Sequence, residues 1–133
     1  MKKLICILLL YATGALFGFA SGPAETVCAS AFANHKSNFQ VSGGGQVIKI
    51  LSDDTNGSRH QRFIITLASG QTLLIAHNID IAKRIPALAV GDTVEFSGEY
   101  EWNPQGGVIH WTHLDPQSNH SAGWLKHKGQ TYQ

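Results

Sequence analysis

The last quarter of the sequence concentrates histidine and carboxylate side chains, the residue types that bind transition metals. Imidazole nitrogens and carboxylate oxygens suit Zn²⁺, Cu²⁺ and Ni²⁺, and three or four such groups complete a site. This pattern predicts a divalent transition-metal site, for example one that binds Zn²⁺. The four candidate ligands are His110, His113, Asp115 and His120.

The period of a β-strand argues against this metal site. If residues 107–113 form one strand, His110 and His113 point to opposite faces, because side chains alternate along a strand. A bulge, or an end of the strand near Thr112, would let both rings face one ion. The alternative is that these histidines hydrogen-bond to turn carbonyls and that Asp115 only begins a loop.

Arginine and histidine side chains form a second cluster on two neighbouring predicted strands. His60 and Arg62 share one face of a strand, and His77 ends the next strand. Together with Arg59 they predict an anion site, because guanidinium groups and neutral donors bind phosphate and carboxylate. The alternative is a solvated polar face whose charge is balanced by the glutamates of another strand.

Tryptophan and tyrosine side chains accumulate in the last third of the chain, where Trp111 lies inside the histidine run. Aromatic rings beside polar groups can stack on bases or sugars, although most large aromatics in a small barrel pack in the core. Trp111 is therefore the candidate aromatic ligand contact. The predicted ligand-binding residues are Arg59, His60, Arg62, His77 and Trp111.

Short alternating segments between turn residues predict a mainly β fold that holds these side chains. Residues 78–85 are expected to form a helical turn between the third and fourth strands. This order is typical of a five-stranded OB-like Greek-key barrel, here over residues 43–133, and a small β-sandwich is the alternative. The predicted strands are 46–51, 59–67, 71–77, 93–102 and 107–113, with a final pair at 124–127 and 130–132.

A helix is predicted over residues 25–39, ahead of the barrel. Cys28, Phe32, His35 and Phe39 recur at helical spacing and define one face. We expect Cys28 to be buried on this stripe. The glycines at 43–45 are expected to end the segment.

The first 20 residues predict a signal peptide. Two lysines precede an uncharged apolar segment, and small residues allow a cut after Ala20 or Ala24. We therefore expect a periplasmic or secreted monomer with no transmembrane segment after cleavage. An uncleaved N-terminal anchor is the alternative.

Charge and composition exclude several classes of protein. The chain of 133 residues has 10 Lys+Arg and 9 Asp+Glu, a net charge of +1. Removing residues 1–20 takes away Lys2 and Lys3 and no acidic residue, so 8 basic residues face 9 acidic ones, or −1. A strongly basic nucleic-acid binder is thereby excluded, and 43% apolar residues exclude a disordered chain.

Several motifs resemble those of one family. The runs at 77–82, 91–102 and 106–116, the last of which contains His-Trp-Thr-His-Leu-Asp-Pro, resemble the DUF3465 family of short exported bacterial proteins. The resemblance spans nearly all of the chain after residue 20 and implies export and a single compact domain. It implies no catalytic residue. A weaker likeness to secreted OB-fold nucleases rests on the barrel layout and on Asp53, Asp54, Arg59 and Arg62, and it implies a similar fold only.

Three functions follow from these patterns. The favoured one is an exported binding module for an oligomeric, anionic ligand, either nucleic acid or oligosaccharide. The second is a metal-dependent hydrolase of phosphodiesters that uses the C-terminal histidines. The third is an envelope protein that binds another protein through its N-terminal helix.

Overall fold

A computed structural model describes residues 23–133. The predicted signal peptide, residues 1–20, and the cut after Ala20 lie outside these residues. Helix α1 spans Pro23–Ala33, and seven strands follow it. The strands are β1 (Phe39–Ile50), β2 (His60–Thr66), β3 (Thr72–Asn78), β4 (Thr93–Glu101), β5 (Val108–His110), β6 (Trp124–His127) and β7 (Gln130–Tyr132).

Strands β1 to β5 close into a barrel. Strand β1 pairs with β4 through residues 39–46 and with β2 through residues 46–50, and all these pairs are antiparallel. A register shift between Val47 and Lys49 marks the change of partner, since a bulge bends the strand. Strand β5 completes the closure by pairing in parallel with β3 and antiparallel with β4. The predicted five-stranded OB-like barrel is confirmed.

The last two strands form a hairpin outside this barrel. Strand β6 pairs with β4, and β7 pairs with β6. Both strands have the bounds predicted from sequence. The hairpin covers the edge of β4 beyond the five-stranded barrel.

Alternating side chains of the strands fill the barrel. In β2 every second residue is buried, including Phe63 and Ile65, and in β3 the inward residues Leu73 and Ile75 are buried, with the outward Ala76 also covered. Burying a side chain of this size contributes roughly 1.5–3 kcal/mol. The same alternation carries His77 into the interior, where it is fully buried.

Helix α1 is shorter than predicted. It ends at Ala33, and the chain turns through positive φ at His35 and Asn38 before β1 begins at Phe39. The predicted helix end at Phe39 is therefore wrong, because left-handed backbone at these two residues breaks the helical repeat. The barrel accordingly begins at residue 39 and not at residue 43.

The buried face of α1 also differs from the predicted stripe. Ala24, Cys28 and Ala31 join the core, whereas Phe32 is 36% exposed. Cys28 is a free, fully buried thiol, and burial, with a smaller contribution from Glu25, raises its pKa to about 11. This thiol is consequently a poor nucleophile.

The glycine run lies inside β1 and does not end a helix. A Cβ on Gly43 would lie 2.6 Å from the Cβ of Ala24, and a Cβ on Gly45 would lie 2.5 Å from the carbonyl oxygen of Thr66. These two glycines therefore let α1 and β2 approach β1 closely.

Between β3 and β4 the chain forms turns instead of a regular helix. The Ala82 N–H donates to the Asn78 carbonyl at 3.0 Å, which closes one helical turn within the predicted segment 78–85. Ala82 and Ile85 are both buried, as their shared face predicts. Over residues 23–133, no helix has the length and apolarity needed to cross a membrane.

Candidate functional site

Strand β5 ends early, and this end shapes the candidate site. It stops at His110, and Trp111 adopts a left-handed backbone with φ of 53°. The strand period is broken there, so His110 and His113 do not point to opposite faces. Both line the same pocket.

The pocket has a volume of about 220 Å³ and is partly open to solvent. It joins residues from the two clusters that the sequence pattern separates: His60 comes from the second cluster, and His110 and His113 come from the C-terminal one. Trp111 adds an aromatic ring. The lining residues are Ser58, His60, Ala76, Asn78, Ile81, His110, Trp111 and His113.

Two glycines on neighbouring segments hold the turn after β5. A Cβ on Gly98 would lie 2.4 Å from the His110 carbonyl oxygen, and a Cβ on Gly123 would lie 1.8 Å from that of Trp111. The Gly123 N–H also donates to the His113 carbonyl at 2.9 Å. Because a side chain at either position would collide with backbone, these glycines allow the turn to pack against β4 and the segment before β6.

His77 lies inside the barrel and not on the ligand face. Its Nε2 lies 2.9 Å from the Lys83 carbonyl oxygen, and its Nδ1 lies 2.7 Å from Oγ1 of Thr112. A carbonyl only accepts, so Nε2 carries the proton and Nδ1 accepts from the threonine hydroxyl. Burial lowers the pKa of His77 to about 4, which keeps the ring neutral. The structure thus places His77, a predicted ligand contact, in the interior and outside the lining of the pocket.

Trp111 is held by a stacked histidine. The rings of Trp111 and His120 lie 4.0 Å apart and 9° from parallel, and His120 Nε2 lies 2.9 Å from Glu99 Oε2. The Ser121 carbonyl and the Glu99 carboxylate raise the pKa of His120, although partial burial opposes them. The charged imidazolium is thereby favoured against the indole face.

The Asp115 carboxylate stabilises the loop that carries His120. Its carboxylate accepts hydrogen bonds from the backbone N–H groups of Gln117, Asn119 and His120, at 2.8 to 3.0 Å. These bonds lower the pKa of Asp115. The side chain caps a turn, which was the alternative interpretation of this residue.

The predicted metal site is not assembled in residues 23–133. Within that range, no three His, Cys, Asp or Glu side chains are grouped so that they could hold a metal ion. His113 donates to the Leu114 carbonyl, whereas His120 stacks on Trp111 and lies 2.9 Å from Glu99. The four predicted ligands, His110, His113, Asp115 and His120, are therefore divided between the pocket and the adjoining loop.

The two predicted arginines differ in their surroundings. Arg59 forms an ion pair with Asp80, with Nε and Oδ1 at 2.8 Å, which raises the pKa of the guanidinium and lowers that of the carboxyl. Arg62 lies beside the pocket, opposite Ala76 in the strand register, and its Nε donates to the Ser52 carbonyl. Neither arginine lines the pocket.

Nearly the whole chain matches the sequence pattern of one protein family. The family described as "Protein of unknown function (DUF3465)" matches residues 7–133. The chain belongs to the DUF3465 family. No curated protein matches it. The matched residues of this DUF3465 chain include the helix, the barrel and every residue that lines the pocket.

Four lining residues of the DUF3465 pocket were not among the predicted ligand contacts: Ser58, Ala76, Asn78 and Ile81. The period of β3 predicts the positions of Ala76 and Asn78, because Leu73 and Ile75 point inwards and these two residues point to the opposite face. Ala76 is nevertheless buried there, and Asn78 is partly exposed. The same phase places His77 inside. Ser58 and Ile81 lie in turns, where no such period applies.

Proposed function

We propose that the chain is a binding module that holds an oligomeric ligand on the outer face of β2, β3 and β5. One unit of the ligand occupies the pocket of His60, His110, Trp111 and His113. The observation that carries this proposal is the convergence of these side chains, which come from distant parts of the sequence, on one concave site. Concave sites with a few convergent polar groups are the usual locations of ligands.

The size and chemistry of the pocket favour a single polar ring. Its volume of about 220 Å³ is below the roughly 300–1,000 Å³ that is typical of drug-sized ligands. Histidine, serine and asparagine supply hydrogen-bonding groups, while Trp111 and Ile81 supply apolar surface. A sugar or a nucleobase presents both kinds of surface.

The face continues beyond the pocket, which favours an oligomer over a small molecule. Ile64, Leu74 and Val108 are paired across the three strands and are all partly exposed. They form an apolar strip beside the pocket. OB-folds commonly bind oligonucleotides and oligosaccharides on the face of their second and third strands.

The hydrolase alternative is less well supported. It requires His110, His113, Asp115 and His120 to meet at one ion, and in the described part of the chain they do not. The interaction-protein alternative is weakened because Ala24, Cys28 and Ala31 of α1 pack into the core of the same barrel.

Backbone amide NMR of the purified protein tests the proposal. Pools of oligosaccharides and oligonucleotides are titrated at low salt, and we expect shift changes at His60, Asn78 and Trp111 that extend along the outer face of β3. His113→Gln should weaken binding, whereas the control His35→Gln, beside Trp102 and outside the pocket, should not. Saturable binding elsewhere, or no binding from either pool, would overturn the proposal.

We also propose that this module works outside the cytoplasm, on the basis of the apolar segment that follows Lys3. N-terminal sequencing of the protein purified from its native host should give Ser21 or Glu25 as the first residue. An N-terminus that retains residues 1–20 would contradict export with cleavage.

A further inference from the structure

Backbone carbonyls determine which nitrogen carries the proton in two pocket histidines. His60 Nδ1 lies 2.9 Å from the Ser58 carbonyl oxygen, and His113 Nδ1 lies 2.6 Å from that of Leu114. Because a carbonyl oxygen only accepts, Nδ1 carries the proton in both rings. In the neutral form of each ring, Nε2 then carries a lone pair and acts as a hydrogen-bond acceptor.

The acceptor nitrogen of His113 has no hydrogen-bond partner among the described residues and is not fully buried. Among residues 23–133, every buried side-chain nitrogen and oxygen has a hydrogen-bond partner. Nε2 of His113 has no partner within that range, so this atom is not fully buried, although the residue is only 4% exposed. Because His113 lines the pocket and this nitrogen is not fully buried, we infer that Nε2 faces the pocket.

His110 and Asn78 extend the set of hydrogen-bonding groups. Nε2 of His110 lies 3.2 Å from a carboxylate oxygen of Glu101, which favours the proton on Nε2 and the lone pair on Nδ1. The Asn78 side-chain oxygen accepts from the Asp80 N–H at 3.0 Å, so its amide N–H groups remain to donate. The pocket thus has up to three acceptors from imidazoles and one amide donor.

Charge around the pocket does not favour an anion. None of the eight lining residues is Lys, Arg, Asp or Glu. Arg59 is paired with Asp80, and Arg62, beside the pocket, is outside its lining and donates to the Ser52 carbonyl. Glu99 and Glu101 lie on β4, opposite His110 and Val108 of β5. A phosphate or carboxylate here would face imidazole lone pairs and nearby carboxylates, without a cation in the pocket to neutralise it.

We propose that the pocket binds a neutral saccharide unit whose hydroxyl groups donate to the imidazole lone pairs of His60 and His113. This inference rests on the proposed function of the same pocket and names its ligand class. A hydroxyl group rotates to donate or accept, so adjacent hydroxyls can satisfy both imidazole acceptors and the Asn78 amide. Trp111 and Ile81 supply the apolar surface for the C–H face of the ring.

The test compares neutral with anionic oligomers of equal length on the purified full chain. Cellohexaose, maltohexaose and chitohexaose are the neutral probes, and hexagalacturonate and a thymidine hexanucleotide are the anionic ones. EDTA is present throughout, so that no metal occupies the imidazole lone pairs. We expect at least one neutral hexasaccharide to shift the amides of His60, Asn78 and Trp111, and neither anion to do so.

Two variants of His60 test the acceptor directly. His60→Gln retains an acceptor, whereas His60→Lys offers only donors and adds a charge. We expect the lysine variant to lose about tenfold or more in affinity for the neutral ligand, and the glutamine variant to lose much less. His60 is half-buried at the start of β2, and a thermal unfolding curve checks that both variants fold.

The outcomes separate the two proposals. If an anionic oligomer shifts the pocket amides and no neutral one does, the saccharide inference is overturned and the binding-module proposal stands. If neither class shifts them, both are overturned. Equal losses in the two His60 variants, with both folded, would also overturn the acceptor role.

Discussion

Oγ1 of Thr112 lies 2.7 Å from Nδ1 of the fully buried His77, and this hydrogen bond joins the barrel interior to the turn that forms the pocket. Thr112 sits between Trp111 and His113, so a fixed Thr112 side chain restrains the backbone that carries both rings. In the neutral ring the hydroxyl donates to the lone pair at Nδ1, whereas a protonated ring would have to donate from Nδ1 to the hydroxyl oxygen. A buried ring in the barrel interior therefore restrains the turn that carries Trp111 and His113.

Acid should destabilise the fold through His77. Burial lowers its pKa from 6.5 to about 4, so below pH 6.5 the unfolded chain binds this proton more strongly than the folded chain. The contribution of the neutral ring to the free energy of unfolding is complete above about pH 6.5. It falls by about 3 kcal/mol as the pH is lowered towards 4. Urea unfolding at pH 7 and at pH 4 measures this difference.

His77→Gln isolates the contribution of that ring. The variant should be less stable than the wild type at pH 7 and should lose less stability between pH 7 and pH 4. His35→Gln, an exposed control, should keep the wild-type pH dependence. An unchanged pH dependence in His77→Gln would show that another group causes the acid sensitivity.

Removing the Thr112 hydroxyl should leave a buried acceptor on His77 without its donor. Thr112→Val keeps the shape of the side chain, and we expect a loss of about 1–3 kcal/mol in the free energy of unfolding. Thr72→Val is the matched control, because its hydroxyl donates to the Gln105 carbonyl in an exposed position. Denaturant unfolding compares the two, and equal losses would argue against the buried bond.

A methyl group at position 123 should disrupt the turn at Trp111. In Gly123→Ala, the new Cβ would lie 1.8 Å from the Trp111 carbonyl oxygen and 2.7 Å from that of Ser97, so backbone must move. We expect a loss of about 1–3 kcal/mol or more, and altered Trp111 amide shifts. Gly44→Ala is the control, since its Cβ would meet its nearest neighbour at 3.5 Å. Equal melting temperatures for the two variants would contradict this account.

The charge on His120 should be coupled to Glu99. The Ser121 carbonyl and the Glu99 carboxylate raise the pKa of His120 above 6.5 in the folded protein. The charged ring therefore stabilises the fold below pH 6.5, and this stabilisation is lost as the pH rises through the pKa of His120 in the folded protein. Glu99→Gln should lower that pKa, as measured by NMR titration of the His120 ring proton. Glu101→Gln, whose carboxylate lies beside His110, should leave it unchanged. A higher pKa in Glu99→Gln would contradict the pairing.

The sequence predicts the barrel well because its determinants are local. Alternating burial and turn residues mark the strands, and the bounds of β6 and β7 agree with the prediction. The inward position of His77 could also have been predicted from the phase of Leu73 and Ile75. The helix end was missed because it depends on left-handed backbone at His35 and Asn38, neither of which is glycine.

The pocket itself could not be predicted from local patterns. The strand period separates His110 from His113, and they share a site only because the backbone turns at Trp111. That turn depends on close contacts with Gly98 and Gly123, which are distant in sequence. The approach of His60 to the same site depends on the closure of the barrel.

Long-range ¹H–¹⁵N NMR of the histidine rings tests the central claim most directly, because it reports the protonation of each ring nitrogen. In the free protein at neutral pH, we predict the proton on Nδ1 and a lone pair on Nε2 for both His60 and His113. Addition of a neutral hexasaccharide should shift both Nε2 signals and leave the Nδ1 signals nearly unchanged. A proton on Nε2 in the free protein, or unmoved Nε2 signals when the ligand is bound, would contradict the account.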